Sequence, residues 1–254
     1  MGMEHGNLLD QALGGARVLL IEDCVEASAA FVLHHLIKRA LSAPPPQSSD
    51  ALVIFVAFAH PFSHYDRILR KMGCNLAVQR DNKRFVFLDM LMFECPGGDG
   101  GETFEGGLVE LYGKIQKAVD VSIVNDGSRS VSIMIDDISL LEVAAKGSSN
   151  HVLDFLLYCH TSTTEIGGSL AILSHEDIYS RTVRPNLILQ MEYLAEVIIK
   201  VEPLASGLAT DVHGQLTVLN KRNSDGLQNL QKKSNFHFRV KENSIEYFYP
   251  GRRT

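Results

Sequence analysis

The chain has 254 residues, 45% hydrophobic and 21% charged, with the composition of a folded globular protein and the length for one large α/β domain. Its formal net charge of −6 excludes nucleic-acid binding by bulk electrostatics, so any such contact needs a local basic patch or basic partners. There is no apolar run of the roughly 18 residues a membrane span requires. Cys24, Cys74, Cys95 and Cys159 lack C-x-x-C spacing and read as free thiols.

The start, MGMEHGNLLDQALGG, has no basic-then-apolar leader pattern, and Gly6 stands where N-myristoylation needs Ser or Thr. Residues 1–15 are expected to be flexible, and the chain soluble and intracellular. ARVLLIE (16–22) predicts a strand, and Val25, Ala29, Val32, Leu36 and Ala40 then mark one face of a helix. The prolines of APPPQSSD (43–50) stop it in a surface loop. ALVIFVAF (51–58) reads as a strand buried on both faces, and SHYDRILRKMG (63–73) as a short helix ended by glycine. NLAVQRDNKRFVFLDML (75–91) suggests two strands about Asp81-Asn82-Lys83, or a strand with a loop.

The glycine-rich acidic stretch 94–107 reads as a surface loop and 108–124 as a helix. VSIMIDDISLLE (131–142) is a buried strand ending in Asp136 and Asp137, followed by a helix. A second helix follows over 150–163, then the strand SLAILS (169–174). From Glu196 onward, short strands alternate with turns, and His213-Gly214 and Glu242-Asn243-Ser244 are the expected reversals. Strand–helix alternation followed by antiparallel strands predicts one α/β domain over 1–254. Its mainly parallel central sheet, flanked by helices and extended by C-terminal antiparallel strands, follows the RecA-like P-loop plan.

That plan places G-x-x-x-x-G-K-[ST] between the first strand and first helix. Its glycines expose amides to phosphate, its lysine neutralises charge and its hydroxyl ligates Mg²⁺. Here the stretch is EDCVEASA (22–29): Glu22 and Ala27 replace the glycines, Ser28 the lysine and Ala29 the hydroxyl. Glu22, Asp23 and Glu26 would face a triphosphate of like charge. Each close pair costs on the order of 4 kcal/mol at about 4 Å and an effective dielectric near 20. The turn therefore reads as a degenerate phosphate loop with no cofactor and no catalytic residue.

Asp136 and Asp137 could hold a metal, but without phosphate oxygens a Mg²⁺ there has few ligands. The structural reading is that Asp137 caps the next helix. The competing functional reading is a divergent nucleotide- or metal-dependent enzyme using Asp136, Asp137 and His175. His60 and His64 are four apart with Pro61 between them and no third ligand evident. Ser174, His175 and Asp177 are neighbours in one segment rather than a convergent triad. Basic clusters such as Arg67/Arg70/Lys71 read as solvated faces. Lys146, Arg181 and Arg184 follow central strands, where RecA-like rings aim loops at their pore, and so are candidate RNA-phosphate contacts.

FVLHHLIK (31–38), VAFAHPFSHYDRILRKMG (56–73), VLDFLLYCH (152–160) and GLATDVHGQLTVL (207–219) together resemble the Elongator complex protein 6 family, in its plant-type form. The resemblance implies a RecA-like pseudo-ATPase subunit without working Walker motifs. It further implies a hetero-hexameric ring with Elongator subunits four and five, two copies of each. Such a ring docks on the catalytic Elongator subcomplex, binds tRNA and supports wobble-uridine modification in cytoplasm and nucleus. The proline loop at 44–46 and the acidic loop at 94–107 are departures that read as surface insertions.

Overall fold

The computed structural model describes residues 8–42, 51–92, 104–125, 130–145, 148–178, 186–207, 209–222 and 232–251. Its frame is a nine-stranded sheet, β3-β2-β4-β5-β1-β6-β7-β8-β9. The strands are β1 (Val18–Asp23), β2 (Leu52–Ala57), β3 (Phe85–Asp89), β4 (Val131–Ile135), β5 (Ser169–His175), β6 (Val197–Glu202), β7 (Gly214–Asn220), β8 (Lys232–Val240) and β9 (Ile245–Phe248). The first six pair in parallel and the last three extend the sheet antiparallel. This is the RecA-like α/β plan. β1, β2 and β4 are buried at every residue: β2 is apolar throughout, β4 but for Ser132, and β1 until Glu22 and Asp23.

Alternation along the strands divides the core in two. Leu19, Ile21, Val53 and Phe55 face α2 (Ala30–Ser42) and α3 (Phe62–Lys71). On the other side, Leu20, Ile54, Ile133 and Ile135 face α5 (Phe104–Asn125), α6 (Ile138–Ala144), α7 (Ser149–Glu165) and α8 (Asn186–Leu194). Each fully buried side chain of this size contributes roughly 1.5–3 kcal/mol. Among the described residues, no helix is long and apolar enough to cross a membrane.

Several boundaries differ from the sequence expectation. Part of the segment read as flexible is α1 (Leu8–Leu13): Leu9, Ala12 and Leu13 are buried, and Asn220 Nδ2 donates to the Ala12 carbonyl at 3.1 Å. The first long helix begins at Ala30, so Val25, 88% exposed, lies on the preceding turn rather than on the helix face. Residues 76–81, read as strand or loop, form α4 (Leu76–Asp81). Local capping decides for helix over that short apolar run. Gly73, at φ +88°, closes α3, and the Asn75 side chain then accepts from the Val78 amide at 3.2 Å. Lys83, at φ +58°, turns the chain into β3.

α5 starts at Phe104, inside the stretch read as loop; residues 93–103 lie outside the described residues, as do 43–50. Gly214 is not a reversal but the first residue of β7, paired with Phe238. A Cβ there would stand 2.8 Å from the Glu202 carbonyl oxygen and 2.8 Å from the Phe238 ring, so close packing explains this glycine. The Glu242–Ser244 reversal is present, with the Lys241 amide donating to the Ser244 carbonyl at 2.8 Å.

Candidate functional site: a phosphate-loop turn closed by its own charges

The central parallel strands β4, β5, β1 and β6 are apolar for most of their length and turn polar at their C-terminal ends. That end carries ligands in open α/β sheets. Strand register sets the first contacts there. Asp23 lies opposite His175, and Glu22 opposite Lys200. Because successive side chains alternate, the two pairs occupy opposite faces of the sheet.

On one face, His175 Nδ1 bonds Asp23 Oδ1 and Nε2 lies 3.1 Å from Asp137 Oδ2. These hydrogen bonds, first Asp137 and then Asp23, outweigh burial and push the His175 pKa up to about 10. At neutral pH an imidazolium therefore bridges two carboxylates. Asp23 Oδ2 also accepts from the Ala29 amide at 2.6 Å, just ahead of α2, where the helix dipole favours negative charge. The Val25 amide donates to Asp177 Oδ2 at 2.7 Å. Two amides of the strand-to-helix turn, which a phosphate loop would offer to an anion, thus meet carboxylates of the same chain.

On the other face, Lys200 Nζ lies 2.5 Å from Glu22 Oε2, 3.0 Å from Glu176 and 3.7 Å from Glu192. Burial raises the Glu22 pKa to about 7 against the opposing pull of Lys200, with Glu176 and Glu192 adding to the rise. Burial alone would lower Lys200, but the Glu22 and Glu176 carboxylates override it, and its pKa rises.

Of the two aspartates after β4, Asp137 is the N-cap of α6, its Oδ1 accepting from the Leu140 amide at 2.9 Å. Asp136 serves the β2–α3 connection instead. It accepts from the Phe58 amide at 2.7 Å, the Ala59 amide at 3.1 Å and the Tyr65 hydroxyl. Burial raises its pKa despite these donors, and burial beside Asp136 raises that of Tyr65. The two adjacent carboxylates therefore diverge to separate partners.

Of the sequence-singled turn residues, Glu22 is held in the lysine cluster; Ala27 and Ala29 are buried. The Ser28 hydroxyl accepts from the Ala30 amide at 3.3 Å. His60 and His64 stack with centroids 4.1 Å apart beside Tyr65. Among the described residues, no group of three or more His, Cys, Asp or Glu is placed to hold a metal. Lys146, Arg181 and Arg184 lie outside the described residues.

Lys200 and Tyr65 were not singled out from the sequence. A lysine inside VIIKVE, after three apolar residues and two short of the strand's end, was the available signal for the first. Nothing local marks Tyr65 as the partner of a carboxylate 71 residues away.

The order of the strands and the turn after β1 define a RecA-like protein whose phosphate loop is internally charge-paired. A KaiC-like protein from Pyrococcus horikoshii shares the fold at a TM-score of 0.62 and 12% identity, with 95% of each chain covered. The family model described as Elongation complex protein 6 matches residues 7–96 and 101–242, and the chain belongs to that family. It is 27% identical to Elongator complex protein 6 of Homo sapiens, over 99% of this chain and 98% of that one. It is 28% identical to the Mus musculus protein of that name, over 98% and 97%.

Proposed function

We propose that this chain is a non-catalytic, structural subunit of the Elongator complex. It sits with Elongator subunits four and five in a hetero-hexameric RecA-like ring. The ring docks on the catalytic subcomplex, binds tRNA and supports wobble-uridine modification, in cytoplasm and nucleus. The observation that carries the non-catalytic part is the Asp23–His175–Asp137 bridge together with the amides donated to Asp23 and Asp177. A triphosphate entering this turn would have to break internal hydrogen bonds and meet carboxylates where it needs cations. The family relationship, with the names its relatives carry, supports the assembly.

Isothermal titration of the purified chain with Mg²⁺–ATP tests the first part. No saturable heat is expected, and micromolar binding overturns the reading. Purification of a tagged chain with its stoichiometric companions tests the second: subunits four and five are expected, and a chain that stays alone refutes the ring. For the RNA contact, the triple charge reversal Lys146→Glu, Arg181→Glu, Arg184→Glu should weaken tRNA binding by the assembled ring. Its salt slope should shrink by about 0.7–0.9 per lost phosphate contact, and an unchanged slope removes these residues from the interface.

A further inference from the structure

Among the described residues β3 ends the sheet, and its hydrogen-bonding pattern shows which of its groups face away from β2. The Val53 amide donates to the Arg84 carbonyl and the Met90 amide to the Ala57 carbonyl. Bonding residues alternate along a strand in a parallel pair. Even-numbered residues of β3 therefore bond β2, while the amides and carbonyls of Phe85, Phe87 and Asp89 point away from the sheet. Among the described residues no strand pairs with that side.

The open edge borders a groove of about 540 Å³ between β3 and α5. Its floor is apolar, with Val86 and Leu88 from the strand and Ala118 and Val121 from the helix. Its charged lining is cationic: Lys114, which also pairs with Glu110 at 2.8 Å, and Lys117 on α5, with Arg80 and Lys83 beside the strand's start. Lysine or proline within an edge strand is the common protection against pairing. FVFLD contains neither, and its flanking cations leave the backbone open.

We propose that this groove is a docking site for an extended acidic segment of another polypeptide, which adds as a strand to β3 and places its carboxylates against Lys114 and Lys117. Strand addition supplies backbone hydrogen bonds at three residues; alternation then turns the carboxylates to the α5 face and the apolar side chains to the opposite face, beside Phe87. The chemistry favours peptide over RNA. A sugar–phosphate chain cannot match the alternating amides and carbonyls, and Phe85, the first aromatic of the strand, is buried and unavailable for base stacking.

The test uses the full chain and a fluorescein-labelled nonapeptide of alternating Glu and Val. Binding is read by anisotropy and by residue-resolved amide exchange. The amides of Phe85, Phe87 and Asp89 are expected to exchange on the order of tenfold more slowly with peptide, while those of Val86 and Leu88 change little. The double variant Lys114→Glu/Lys117→Glu, altered only at exposed positions, should weaken binding roughly fivefold. A peptide N-methylated at its pairing amides should not bind.

Equal binding of a Lys/Val peptide or retained binding of the N-methylated peptide would overturn the proposal. So would protection without the odd–even pattern, or displacement of the peptide by oligouridylate with the same protection. Concentration-dependent self-association that buries β3 in place of peptide binding would assign the edge to a second copy instead. None of these outcomes depends on nucleotide binding at the β1–α2 turn.

Discussion

Replacing His175 with glutamine should flatten the alkaline limb of the stability profile. The wild-type imidazole is held at a pKa of about 10, against 6.5 for the free side chain. A base whose folded pKa is raised contributes its stabilisation fully below pH 6.5 and loses it as pH climbs through 10. Between pH 7.5 and 9.5 the loss is bounded by two units at 1.36 kcal/mol each, about 2.7 kcal/mol. The side chain is 28% exposed, so screening reduces this to roughly 1.3 kcal/mol. In a chain of this size that is a fall in Tm of about 3–5 °C.

Glu22, with its folded pKa raised to about 7, also loses stabilisation as pH rises, but across pH 4.5–7. Working above 7.5 separates the two groups. Urea unfolding of wild type and His175→Gln at both pH values cancels the titration of every other group common to the two proteins. If the variant loses as much stability as wild type over this interval, the His175 bridge contributes nothing and the account of a self-closed turn fails.

Lys200→Met should cost about 3–5 kcal/mol at pH 8, because it removes the cation beside a Glu22 side chain that has no exposed surface. Equilibrium unfolding should show the penalty shrink at pH 5.5, where Glu22 takes up a proton, and shrink again on adding Glu22→Gln. Asp136→Ala should destabilise by roughly 3 kcal/mol, since it removes the acceptor of the Phe58 and Ala59 amides and of the Tyr65 hydroxyl. Tyr65→Phe should cost only about 1.5–2 kcal/mol by the same denaturation assay, and equal costs would mean the amides find other partners. Gly214→Ala should lose roughly 1–3 kcal/mol through the clash with the Glu202 carbonyl and the Phe238 ring. A neutral denaturation midpoint would show that β7 shifts to accept the methyl.

The parallel core was legible because strands buried on both faces advertise themselves as nearly continuous apolar runs, as in LVIFVA and, but for Ser132, VSIMI. α4 was not, since the short apolar run Leu76-Ala77-Val78 fits a strand as well as a helix and only the Asn75 cap and the α3 terminus decide. The residue types of the β1–α2 turn could be read directly, since one strand and one helix bound it. What fills it could not be read that way. Asp23 meets His175 across 152 positions through β1–β5 register, and no local spacing encodes register between strands far apart in sequence. Asp137 was readable as a cap because its partner is only three residues on.

A ligand-dependent phosphate loop acquires part of its order from the nucleotide, in proportion to ligand concentration over Kd. In this chain the corresponding order comes from folding. Asp23 fixes Ala29, Asp177 fixes Val25, and the His175 charge is satisfied before any partner arrives. Val25 projects from that turn 88% exposed while its own amide is pinned. An exposed apolar side chain on a rigid turn loses little conformational entropy when a neighbour covers it. In the proposed assembly, then, the surface that other RecA-like subunits remodel with each nucleotide is kept in one shape. Mg²⁺–ATP should accordingly leave the exchange rate of the Val25 and Ala29 amides unchanged, and acceleration of either would show that the turn still opens to a phosphate.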